Sequence, residues 1–214
     1  MKKSLIVGIV VAVLIGGGAV AYFAMKDDDG GNDDTTNTSQ SQDNNGNPTF
    51  NPAATDNRDF VATINSGTEG SDSSFEYDVD SESFRYKASA SGQSIETIIT
   101  PDAYFTMANG EWIKYPTATG SGVDPESYQY STAELSAYEG TSSYVGQESC
   151  SAGTCDVWRT SSAGAESALF IETGTGYIVK VETTVDDKTS SIEYDYKDVT
   201  INPPTDFQEL PSFD

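Results

Sequence analysis

The stretch "ITPDAYFTMANGEWIKYP", Ile99–Pro116, sets the fold class before anything else in the chain is read. Ala103, Phe105 and Met107 alternate along an extended run, Asn109-Gly110 follows, and "EWIKY" returns with Trp112. Asn-Gly between two such runs supplies the two positive-φ positions of a type I′ turn, whose twist matches that of the flanking strands. The stretch is therefore a β-hairpin. Its acids, Asp102 and Glu111, raise a second reading, because paired carboxylates can cleave a glycosidic bond without histidine. In a chain with 34 Asp and Glu, two acids near one turn are expected from composition alone. No catalytic residue is assigned, and the domain is expected not to be an enzyme.

Working outward, the same period of two recurs from Ser73 onward. "FEYDVD" places Phe75, Tyr77 and Val79 on one face, and "FRYKASA" places Phe84, Tyr86 and Ala88 opposite Arg85, Lys87 and Ser89. These are half-buried antiparallel strands. Further strands are "SSYVGQES", "CDVWRTS", "ESALFIE", "YIVKVETTV" and "SSIEYDYKDVTI". In the last, Ile192, Tyr194 and Tyr196 share a face before Val199 and Ile201 shift the phase, as a bulge would. About ten strands in one sheet must curl, since a flat open sheet of that size is unfavourable.

Two helical segments are expected among them. "TDNRDFVATINSG" offers Thr55 or Asp56 as a cap, Phe60, Val61 and Ile64 on one side, and Gly67 as a stop. "DPESYQYSTAELSAYEG" offers Asp124 as a cap, Pro125 at the first helical position and Gly140 as the end. The fold class is α+β: a curved, incompletely closed antiparallel sheet with two short helices over its concave face.

Composition narrows the function. Thirty-four acids against 11 Lys and Arg give a formal net charge of −23. Nucleic acid is excluded as a partner that binds by general electrostatics, because that needs a basic surface. Histidine is absent and there are two cysteines, so a Ser-His-Asp hydrolase, a thiol protease and a Cys/His zinc site cannot be assembled. No metal and no cofactor is expected. The acidic run after Asp27 fails as an EF-hand, since its sixth position is Asn32 where a glycine is needed.

The N-terminus reads "MKKSLIVGIVVAVLIGGGAVAYFAMKDDD". Leu5–Ala24 carries no charge, and twenty helical residues span about 30 Å, one hydrocarbon core. Residues 1–4 are then cytoplasmic, 5–25 an anchor, and the remainder outside the cell membrane, because Lys2 and Lys3 precede the span and an acidic run follows it. Cleavage after "AVA" at Ala19–Ala21, giving a secreted protein, is the alternative. Residues 26–55 are nearly all Asp, Asn, Gly, Ser and Thr and read as a flexible tether; 56–210 is the domain and 211–214 a tail. In an exported chain, Cys150 and Cys155 form a disulfide across a hairpin with Ser151–Thr154 as its loop, which stabilises by about 2 kcal/mol.

The order of elements, with the "AYFTMANGEWIKY" hairpin at its centre, resembles the LolA-like and LppX-like superfamily of bacterial envelope proteins over roughly residues 56–210. "CSAGTCDVWRT" followed by "LFIETGTGYIVKVETT" is also similar to uncharacterised membrane-tethered bacterial proteins. The resemblance implies a monomeric half-barrel with an apolar cavity of several hundred Å3, able to hold acyl chains of a lipid. Its wall would include Phe75, Tyr77, Phe84, Tyr86, Phe105, Met107, Trp112, Trp158, Phe170, Tyr194 and Tyr196. LolA's gating arginine has no counterpart among Arg58, Arg85 and Arg159. The alternative function is a non-catalytic interaction or sensory module that contacts a protein or cell-wall polymer through exposed tyrosines such as Tyr128, Tyr130 and Tyr144.

Overall fold

The computed structural model describes residues 46–67, 71–90, 93–116, 128–162 and 165–209. Within them the alternating pattern becomes twelve strands: β1 (Phe60–Asn65), β2 (Ser71–Asp78), β3 (Ser83–Ala90), β4 (Gln93–Ile99), β5 (Ala103–Ala108), β6 (Glu111–Pro116), β7 (Ser143–Cys150), β8 (Gly153–Ser162), β9 (Ala165–Glu172), β10 (Ile178–Val185), β11 (Lys188–Asp195) and β12 (Gln208–Glu209). All belong to one sheet, ordered β12-β6-β5-β4-β3-β2-β1-β11-β10-β9-β8-β7. Two meanders, β1 to β6 and β7 to β11, meet where β1 pairs with β11, from Val61 opposite Asp195 to Asn65 opposite Ser191. Every pairing is antiparallel except the short one between β12 and β6. A sheet of this width has to curl, and with β7 and β12 at its ends it stays unclosed.

The first expected helix is a strand. Phe60, Ala62 and Ile64 are buried and alternate with Val61, Thr63 and Asn65, a period of two that the capping residues around it obscure in the sequence. Three β-branched residues, Val61, Thr63 and Ile64, favour the extended form. The deciding factor is non-local: β2 and β11 satisfy the backbone of β1 on both edges. Gly67 ends the segment as a turn residue, at φ +70°, with its amide donating to Asn65 Oδ1 at 2.9 Å.

The second helix is present but short, α1 (Thr132–Glu139). Its expected cap, Asp124, and Pro125 lie outside the described residues, as does the expected anchor Leu5–Ala24. Among the described residues no helix is long and apolar enough to cross a membrane. The domain reaches further toward the N-terminus than residue 56. Phe50 is buried against Trp158 with ring centroids 5.1 Å apart, and Ala53 N–H donates to the Gly176 carbonyl. One aromatic inside a polar tract is enough to dock it.

Both type I′ positions of the opening hairpin are as expected, Asn109 at φ 56° and Gly110 at φ 83°. The β10–β11 turn uses Asp186 and Asp187 in the same way. The β7–β8 hairpin is tighter than expected: Ser151 and Ala152 alone form the turn, and Gly153 and Thr154 already belong to β8. The disulfide Cys150–Cys155 closes it.

After β11 the chain crosses to the outer face, so the phase shift at Val199 and Ile201 marks a crossing and not a bulge. Two aspartates hold this segment down. Asp59 accepts from the amides of Val79 and Val199 at 2.8 and 2.9 Å, and Asp78 accepts from those of Ser81 and Ile201 at 3.2 and 3.1 Å. Val199, Ile201 and Phe207 then pack on Ile98, Ala103 and Phe105.

Burial pushes the Asp78 carboxyl up, but hydrogen bonds from Ser81, Ile201 and Asp80 outweigh it and leave the group below its ordinary value. Folding thus favours the ionised form, a contribution fully present above the unfolded pKa of about 3.9 and lost as pH falls through the lower folded value. Asp78→Asn is expected to cost about 2 kcal/mol in urea unfolding at pH 7, with the gap to the parent protein shrinking below about pH 4. A gap independent of pH would show that the charge is immaterial.

Candidate functional site

Residues opposite one another in the ladder share a face, so the register sorts every side chain. The concave face carries Phe60 and Ile64 from β1, Phe75 and Tyr77 from β2, Phe84 from β3, Trp158, Leu169, Val181 and Ile192 from β8 to β11, and Tyr194, all in one core cluster. Phe50, Tyr128, Tyr130, Leu135 and Tyr138 fill this half of the hollow from above. Tyr128 packs on Phe75 and Phe84, at 4.2 and 6.2 Å between centroids, and Tyr130 meets Tyr194 edge-on at 5.8 Å.

Toward β6 the same face changes character. Tyr86 is opposite Thr97, Thr97 opposite Thr106, and Thr106 opposite Ile113; Ile99 is opposite Tyr104, and Tyr104 opposite Tyr115. Apart from the buried Thr97, these side chains are half-buried, and the Tyr104 and Tyr115 rings meet edge-on at 5.4 Å. Among the described residues no charged side chain lies on this half of the face until Glu111 at the rim, where it accepts from Gln208. Thr106 Oγ1 is buried without a protein partner. Burial raises the hydroxyl pKa of Tyr86, Tyr115 and Tyr128, so these tyrosines act here as neutral donors and acceptors.

The eleven expected wall residues therefore separate. Phe75, Tyr77, Phe84, Tyr86, Trp158 and Tyr194 are brought together on the concave side. Tyr196, beyond the end of β11, touches both the concave cluster and an outer one. Phe105 and Trp112 face outward under the C-terminal segment, with Met107 on the same side of β5 and β6. Phe170 also faces outward, packed with Cys155, Val157 and Val179 and covered by the Lys180 ammonium 5.0 Å from its ring. The alternation of the opening hairpin is correctly read, but its inward face belongs to Tyr104, Thr106, Ile113 and Tyr115. Alternation alone does not say which side is covered by a later segment.

Sequence reading missed Asp156. It is 1% exposed on the concave side of β8, accepting from Gln147 at 3.0 Å and Tyr144 at 3.4 Å through Oδ1, while Oδ2 has no protein partner. An acid in phase with Trp158 was the available signal. Tyr128, Tyr130 and Tyr144, expected as exposed contact residues, are instead packed against the concave core. Asp102 and Glu111 lie at opposite ends of the hairpin, roughly 20 Å apart along the strand, against the ~5–9.5 Å that glycoside cleavage requires. Among the described residues no cluster of His, Cys, Asp and Glu could hold a metal.

A cleft of about 500 Å3 opens at one end of the sheet. Arg58, Glu172, Thr175, Tyr177, Asp195 and Tyr196 line it, with Ala53 and Ala152 at its sides.

No protein-family model and no curated protein sequence matches the chain. Solved structures do resemble it. LprF from Mycobacterium bovis is 12% identical, covering 71% of this chain and 91% of LprF at a TM-score of 0.50. Lipoprotein LppX from Mycobacterium tuberculosis is 9% identical, covering 68% and 88% at 0.46, and an uncharacterized conserved protein from Thermus thermophilus is 14% identical, covering 72% and 90% at 0.41. At these identities the likeness is one of fold, carried by LprF, and it is the half-barrel fold that the sequence resemblance implies.

Phe75 lies at the hub of the concave cluster, in contact with Phe60, Phe84 and Tyr128. Phe75→Ala is expected to lower the unfolding free energy by about 3–5 kcal/mol in denaturant titration. A loss under about 1 kcal/mol would mean that the hollow is loosely packed there.

Proposed function

We propose that this is a non-catalytic, membrane-anchored domain that holds a lipid or other apolar ligand against the β3–β6 half of its concave face. The observation that carries this reading is the contrast between the two halves of one face. Phe50, Tyr128 and α1 fill the β1–β2 and β8–β11 side and reach Phe84, whereas Tyr86 and Ile99 at the edge of that packing and Tyr104, Ile113 and Tyr115 beyond it form a half-buried wall that, among the described residues, carries no charged side chain. Such a wall, with a few neutral hydroxyls, suits a pocket that gains its affinity from apolar contact and its orientation from isolated polar groups. The half-barrel fold supports the reading, and Leu5–Ala24 would keep the domain at the outer membrane surface, where such a ligand is met.

Native mass spectrometry of the full chain, released from membranes in a mild detergent, tests this. One lipid per protein is expected, and Ile113→Arg, which places a cation on the wall, is expected to remove it while leaving the unfolding midpoint within a few degrees. An unliganded mass that stays unshifted on titration with membrane lipids would overturn the proposal.

A further inference from the structure

We infer that the cleft at the end of the sheet is a second, separate binding site, for a neutral sugar residue. Its volume of about 500 Å3 lies within the ~300–1,000 Å3 range of small-ligand sites. Its walls are fixed by the fold. The turn at 173–177 is braced internally by Glu172 N–H to Tyr177 O and Gly176 N–H to Glu172 O, at 2.9 and 2.8 Å. Thr173 N–H reaches Thr154 O on the disulfide hairpin at 3.1 Å, and Ala53 N–H reaches Gly176 O from the other side at 2.9 Å. The Cys150–Cys155 bridge holds Ala152 in the wall. A site on elements tied to one another in this way is preorganised.

The lining chemistry selects the ligand. Tyr177 and Tyr196, with ring centroids 5.1 Å apart and planes at 50°, offer aromatic surface of the kind on which the C–H face of a pyranose packs. Arg58 lies over Tyr177, 5.0 Å from the ring centroid, and donates to its hydroxyl, which uses one of five guanidinium donors. Glu172 receives the Thr175 hydroxyl on Oε2 at 2.6 Å and adds acceptor capacity. A guanidinium and a carboxylate lining one cleft can serve hydroxyls, each of which both donates and accepts. Glu172 and Asp195 are balanced by Arg58 and by Lys197, whose ammonium pairs with Asp195, so the lining carries no net charge to favour an ion of either sign. An acyl chain would strand all of these polar groups. What remains is an uncharged polyol with an apolar face.

The methyl groups of Ala53 and Ala152 report on the cleft, and that of Ala62, fully buried in the core, is the reference. The full chain, labelled with 13C-methyl alanine in a detergent without a sugar headgroup, would be titrated with N-acetylglucosamine trisaccharide, cellotriose and, separately, inorganic phosphate. The expected result is a saturable shift of the Ala53 and Ala152 methyls by at least one trisaccharide at millimolar concentration, with Ala62 unmoved. Glu172→Gln, which keeps the shape, should weaken it about fivefold, and Tyr177→Ala should abolish it. Failure of both sugars to move either methyl would overturn the inference, as would a response to phosphate alone or an undiminished response in both variants. Lipid occupancy of the concave face is read separately by mass and does not enter this outcome.

Discussion

The ladder between β1 and β11 is the constraint on which the architecture depends. Each meander could form from local turns, as β5–β6 and β10–β11 do through paired positive-φ residues. Only the pairing of Val61 through Asn65 with Asp195 through Ser191 makes them one sheet. It closes a loop of more than a hundred residues, so its entropic cost is met only when the concave core forms at the same time. Phe60 shows the coupling directly, since it touches Phe75 and Tyr77 on one side and Tyr194 and Tyr196 on the other.

Once joined, the two meanders share a face-to-face division of labour. The concave side concentrates aromatics. The outer side of β2 to β4 carries charge, with Arg85 bridging Glu76 and Glu96 and Lys87 also on Glu76. These pairs contribute little stability, being partly solvated, but they keep a wide sheet polar where no described segment covers it. Where the outer side is apolar, at Ile98, Phe105 and Trp112, the C-terminal segment crosses and is pinned by Asp59 and Asp78. A short carboxylate that receives backbone amides from two parts of the chain fixes a crossing that has no ladder of its own.

The same logic explains the ends. Residues around Phe50 and Ala53 leave the acidic N-terminal stretch to dock on Trp158 and on the 173–177 turn, and in doing so form a wall of the end cleft. The disulfide hairpin contributes Ala152 to the same cleft. Core packing and a polar surface site are thereby built from the same contacts.

The sequence by itself determined strands β2, β3 and β5 to β11, the Asn109-Gly110 turn, the disulfide and the absence of histidine, because these depend on residues adjacent in the chain or on inventory. It misread 60–65 as helical, since Thr55, Asp56 and Gly67 imitate local helix signals and the partners of β1 are distant. It placed Phe105, Trp112 and Phe170 inward for a related reason: alternation has a period but no sign, and the sign is set by whichever segment later covers each face. The pairing of β1 with β11, the outward crossing at Val199 and Ile201, the aromatic filling around Tyr128 and Tyr130, and the cleft between Arg58 and Glu172 were decided by tertiary structure alone. Each depends on groups far apart in sequence that meet only when the sheet curls.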